Sequence, residues 1–185
     1  MSLIKRLLRG YIKKHDGSIS VEIALSLPIL LLCLTGIVEL GHFLLILLKV
    51  QHTAVAVADL VTRDDTITEE VMDDIFLAVP RIMSPYDDNE VIMTVVTSIT
   101  RQPDAEAEVV WQRDSGGYTA ASSLFPSAGT PGALPTELDL EESQTVISAE
   151  VVYAYEPLVF RMIPPQDLRR IAFLRPRLGS LTEIE

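Results

Sequence analysis

The sequence predicts an α+β protein: a long N-terminal transmembrane helix, then a small domain with a helix and an antiparallel sheet. Three observations carry this. The chain is nearly all apolar from Ile23 to Leu48. One later segment has apolar residues at helical spacing, and three further segments alternate apolar and polar with period two.

Charge divides the chain in the same places. Residues 1–17 carry five basic side chains (Lys5, Arg6, Arg9, Lys13, Lys14) against Asp16. Residues 18–63 carry two basic and three acidic side chains, and residues 64–185 carry 8 and 22, within a net charge of −11. A basic head before an apolar span reads as cytoplasmic by the positive-inside rule, and the acidic body reads as exported. The expected organisation is a basic cytoplasmic leader over 1–17, a transmembrane and emergent helix over 18–63, and a periplasmic α+β domain over 64–185. The acidic body argues against nucleic acid as a partner, since phosphate binding needs basic patches.

Ile23–Leu48 exceeds the roughly 20 residues that cross a hydrocarbon core. It is too long for the apolar core of a secretory signal, about 7–15 residues, and no Ala-x-Ala-like site follows before Thr53-Ala54-Val55-Ala56. The span is therefore expected to stay in the mature protein. Pro28, near its start, removes one backbone hydrogen bond. A bend used in packing and a tolerated early proline are both open readings. Glu39 and His42 are three residues apart and share a helix face. They read either as a polar contact with a partner helix or as markers of the outer interface. Two such ligands do not make a metal site. Cys33 is the single cysteine and lies inside the apolar run, which excludes an intramolecular disulfide.

Two stretches carry a family resemblance. The first is Gly17-Ser18-Ile19-Ser20-Val21-Glu22-Ile23-Ala24-Leu25, continued by Leu27-Pro28-Ile29-Leu30 and Glu39-Leu40-Gly41. The second, looser, is Glu150-Val151-Val152-Tyr153-Ala154-Tyr155-Glu156-Pro157-Leu158, with Arg175-Pro176-Arg177 beyond it. With these the chain resembles the TadE-like minor pseudopilins of the tight-adherence (Flp, type IVb) pilus machinery. The resemblance implies a pilin-like domain behind the anchor. It also implies cleavage between Gly17 and Ser18 by a prepilin peptidase, and Glu22 as the fifth mature residue. The implied partners are the inner membrane, that peptidase, other pilins or pseudopilins and the pilus assembly platform. The chain departs from many pilins in two ways: Ser18 stands where they carry Phe or Met, and Ile23 where an aromatic often follows the glutamate.

The role of Glu22 follows from electrostatics as well. A carboxylate at the edge of an apolar helix is costly unless a positive charge stabilises it. An α-amino group freed at Ser18, on an incoming subunit, would supply one. The alternative is a glutamate resting in headgroup water.

Past Leu48 the helical pattern continues to Val61 in small and apolar residues. A second helix is expected from Thr66, with Thr66 and Glu69 as a capping box and Val71, Ile75 and Val79, with Met72 and Phe76, as its apolar face. Pro80 is expected to stop it or nearly so. The alternating segments are Val91–Thr100, Ala105–Gln112 and Thr145–Tyr155. In the second, Ala105, Ala107, Val109 and Trp111 are read onto one face. In the third, Ile147, Ala149, Val151, Tyr153 and Tyr155 form the apolar row. Such alternation predicts a sheet with one wet face, joined over Gln102-Pro103-Asp104 by a turn. Asp114–Asp139, rich in Ser, Gly, Pro and Ala, reads as a long loop, either inert or a partner surface.

No catalytic constellation is visible. His15, His42 and His52 all lie in the leader or the anchor helix, so the exported part lacks a histidine base. Gly116-Gly117 lacks the lysine of a phosphate loop, and the acid pairs Asp87-Asp88 and Glu141-Glu142 lack the spacing of a calcium loop. The expectation is a non-enzyme without cofactor or metal. Two functions remain: a minor pseudopilin in biogenesis of an adhesive pilus, and a signal-anchored periplasmic binding or sensor domain that never polymerises.

Overall fold

The computed structural model describes residues 16–131, 140–159 and 161–184. The expected α+β architecture is found: a long apolar helix, a second short helix and a four-stranded antiparallel sheet. Most of the leader lies outside the described residues.

The first helix, α1, runs unbroken over Asp16–Val61, through Pro28. Its composition changes along its length. From Ile19 to Leu45 nearly every large apolar side chain is exposed, which is the signature of a helix meant for lipid. Thr35 Oγ1 donates to the Leu31 carbonyl at 2.9 Å, so its hydroxyl is satisfied within the helix, as apolar surroundings require. From Ile46 onward a single face is buried: Ile46, Val50, Thr53, Ala54, Val57, Ala58 and Val61, at steps of three and four. This part behaves as the helix of a water-soluble core.

Two compact units divide the chain. One holds the chain up to His42 together with Pro157–Ile163; the other holds Phe43–Glu156 and Pro164–Glu185.

In the second unit, α2 spans Glu69–Met83. Its N-cap is Thr68, whose Oγ1 accepts from the Val71 N–H at 3.2 Å. The start therefore lies beyond the capping box expected at Thr66, because Thr68 holds the extended backbone a cap needs. The helix passes Pro80 and ends three residues later at Met83, close to the expected stop. Lys49 Nζ donates to the Ile82 carbonyl near that end, which supplies a partner where the ladder runs out. The buried face is Met72, Ile75, Val79 and Met83, while Val71 is exposed, so the face is rotated from the expected one.

The sheet has the order β2-β1-β3-β4, all antiparallel: β1 Ile92–Arg101, β2 Ala107–Asp114, β3 Thr145–Tyr155 and β4 Gln166–Leu174. Three of these were expected and β4 was not. The expected wet face is also corrected. The central strands β1 and β3 are buried almost throughout. Register explains why. Val96 pairs with Ala149 and Ser98 with Ile147, so the Ile147–Ala149–Val151 row shares a face with the even residues of β1. The odd row, Met93, Val95 and Ile99, points to the other side with Val146 and Val152. The two apolar rows lie on opposite faces, and each needs a cover.

One face meets helical elements and the C-terminal segment. The Phe43 ring stacks edge-on against Tyr155 at 5.2 Å, Tyr86 just beyond α2 meets Tyr153, and the Leu181 carbonyl accepts from Ser98 Oγ and Trp111 Nε1. The other face is covered by the long β2–β3 connection. Phe125 and Leu140 pack with Ile99, Val109 and Val146, and Tyr118 and Ala121 pack against Met93, Val95 and Val152. In β2 the pairing jumps from Ser98–Trp111 to Ile99–Val109, leaving Val110 as the extra residue of a bulge. That insertion turns Trp111 and Val109 to opposite faces, against the expectation that they share one.

Candidate functional site

The site candidates sort by unit. Near the start of α1, helical backbone runs through Gly17 and Ser18. Glu22 is exposed and surrounded by exposed Ile19, Val21, Ile23 and Leu25. No hydrogen bond or ion pair joins it to another described residue. A lone carboxylate on an apolar helix surface can be neutralised, can reach headgroup water, or can pair with a cation brought by another molecule.

Glu39 is different. It is 1 % exposed, although it sits on the part of α1 whose other side chains are almost all bare. It shares its compact unit with Pro157–Ile163, from the connection between β3 and β4. The Ile163 N–H donates to Glu39 Oε1 in a long hydrogen bond of 3.5 Å. One turn earlier, Gly36 lies against the Met162 side chain, where an added Cβ would come within 3.5 Å of its sulfur and methyl. His42, half-buried, follows Glu39 by three residues. Glu39 and His42 thus share a helix face, and the first contact of Glu39 is with its own chain.

The second unit holds a buried ion pair that the sequence did not disclose. Glu150 in β3 is 0 % exposed and pairs with Arg169 of β4. Its carboxylate also accepts from Ser123 Oγ at 2.8 Å and from the Leu124 N–H at 3.2 Å, and Arg169 donates onward to the Ser122 carbonyl. Burial pushes the Arg169 guanidinium below its usual value. The network fastens the β2–β3 connection over the sheet. A sequence signal existed: Glu150 is the one acid in β3, and Arg169 interrupts an otherwise plausible strand. At the surface, Arg113 of β2 grips Glu69 at the start of α2 and holds that carboxyl below its ordinary range. Tyr118 donates to Asp167, which raises the phenol.

A cleft of about 560 Å³ opens between α2 and the strand ends, lined by Asp73, Phe76, Leu77, Asn89, Asp114 and Ser115. It presents carboxylates and a hydroxyl, and Ser115 Oγ already accepts from the Thr94 N–H. Its lining offers no His, Cys or Lys to activate a nucleophile. Among the described residues no three His, Cys, Asp or Glu side chains gather as a metal site.

A family model described as TadE-like protein matches residues 17–59. The match covers the junction at Gly17, Glu22, Glu39 and the exposed stretch of α1, and it bears out the resemblance read from those residues. Comparison with curated proteins and with solved structures gives no match.

Proposed function

We propose, supported by the match of residues 17–59 to the TadE-like family model, that the chain is a membrane-associated minor pseudopilin acting in biogenesis of a tight-adherence pilus for surface attachment. A prepilin peptidase removes the leader after Gly17. The mature protein starts at Ser18, with α1 as a single-pass anchor in the bacterial inner membrane and the α+β domain in the periplasm. Its partners are other pilins or pseudopilins and the assembly platform. Its role is structural rather than enzymatic.

The observation that carries this reading is Glu22: an exposed carboxylate without a partner among the described residues, on a helix surface otherwise built for lipid. A plain anchor has no use for it. The α-amino group of a neighbouring subunit's Ser18 gives it one, and the pairing orders subunits along their helices. Substitution Glu22→Ala tests this in the producing strain. Pilus number and surface adhesion should fall severely, while immunoblots show undiminished mature protein. Normal piliation with Ala at position 22 would favour the alternative, an anchored periplasmic binding or sensor domain.

A further inference from the structure

The connection from β3 to β4 belongs, over Pro157–Ile163, with the lipid-facing part of α1. Its exposed side chains are unusual for a loop: Leu158 is 58 % exposed, Val159 52 % and Met162 55 %. Arg161 beside them is exposed as well. Three apolar side chains held in water on one short turn are unfavourable, and a patch of this kind marks an interaction surface.

Its position along α1 says what the surface meets. At about 1.5 Å of rise per residue, Gly36 stands roughly 20 Å beyond Ile23 and Glu39 roughly 24 Å. A hydrocarbon core is about 30 Å thick. If the inner boundary lies at Ile23, the contacts with Met162 and Ile163 fall about 6–10 Å below the outer boundary. If it lies at Ile19, Gly36 is still inside. We infer that the described residues of this connection, 157–159 and 161–163, form a membrane-inserted wedge, with Leu158, Val159 and Met162 in the acyl chains of the outer leaflet and Arg161 reaching back to headgroup phosphates.

Irregular chain is tolerated near lipid only where its polar groups are satisfied or few. Part of that demand is met: Pro157, at the start of the segment, has no N–H to satisfy. The Ile163 N–H is taken by Glu39. That contact in turn shields a carboxylate that lipid would penalise. Insertion to this depth is what amphipathic interfacial segments achieve, and an arginine at such a boundary extends its head to the phosphates while its stem stays apolar. The inference rests on the membrane-anchor reading of α1, and does not depend on cleavage at Gly17 or on assembly through Glu22.

Single cysteines at Leu158, Val159 and Met162, in a Cys33→Ser background of the full chain, would carry a fluorescent label in nanodiscs holding one copy each. Lipid-borne doxyl groups should quench all three, and aqueous iodide should quench them several-fold less than the same label at exposed Glu106 of the β1–β2 turn. Iodide quenching equal to that at Glu106 would overturn the inference. So would protection from both quenchers, which would mean a protein cover. A label at Leu30 separates the premises: if it too is open to iodide, the anchor reading falls and the wedge with it. If Leu30 reports lipid and the loop reports water, only the wedge falls. Unchanged Trp111 emission confirms in each variant that the domain is folded.

Discussion

Glu150→Ala is the perturbation whose size the structure fixes best. The carboxylate has no exposed surface, and the Arg169 side chain is 24 % exposed. Removing one partner of a buried pair strands the other charge and costs about 3–5 kcal/mol. Arg169 keeps some access to water, which places the expected loss near the lower end, about 3 kcal/mol. The Ser123 hydroxyl and the Leu124 N–H lose their acceptor in the same step. For a chain of this size each kcal/mol moves the melting temperature by about 2–4 °C, so a fall of about 6–12 °C is expected. Trp111 is the single tryptophan and is buried, donating to the Leu181 carbonyl, so its fluorescence in detergent-solubilised full-length protein follows the domain directly. Glu150→Gln should lose less, since an amide oxygen still accepts. The double variant Glu150→Met, Arg169→Met should recover much of the loss, because no charge is left buried. A melting temperature for Glu150→Ala within about 2 °C of the parent, or a double variant worse than the single, would refute the reasoning.

Gly117→Ala should be clearly destabilising in the same assay. Its φ is +79°, and an added Cβ would collide with the Ile92 and Asn89 carbonyl oxygens. Gly116→Ala, at φ +67° in open space, should show only the left-handed backbone penalty of about 1–2 kcal/mol; equal effects at the two sites would contradict the crowding. Arg113 lowers the Glu69 carboxyl, so its contribution is present above the unfolded-state value near 4.3 and is lost as pH falls through the folded-state value. Glu69→Gln should therefore be slightly less stable than the parent at pH 7 and indistinguishable from it near pH 2, in paired melts. A difference that persists unchanged at low pH would assign the contact's effect to packing instead.

The anchor was legible because its signal is compositional: 26 residues from Ile23 to Leu48 with scarcely a polar side chain leave few alternatives. β1 and β3 were legible because alternation of apolar residues is a local property. What lay beyond reach was register. Nothing within Val91–Thr100 or Thr145–Tyr155 says that Val96 faces Ala149, and so nothing says that the two apolar rows cover opposite faces. The bulge at Val110 is equally silent in the sequence, and it moves Trp111 to the other side. β4 escaped because Arg169 and Arg170 break its apolar pattern, whereas Arg169, two residues before Ile171, the register partner of Glu150, answers that buried glutamate. Asp114–Asp139 read only as a long loop, inert or a partner surface, because its anchors, Tyr118, Phe125 and Ser123, are spread among small polar residues. For the site, Glu22 was visible as a carboxylate out of place. The partner of Glu39 was not, since Ile163 lies 124 residues away and offers only its backbone.

The mature N-terminus tests the central claim most directly. Protein extracted from the membranes of the producing strain, examined by intact mass and N-terminal sequencing, should begin at Ser18 and lack the basic leader. A protein that retains Met1, or that begins beyond Thr53, would contradict the assignment as a processed pseudopilin.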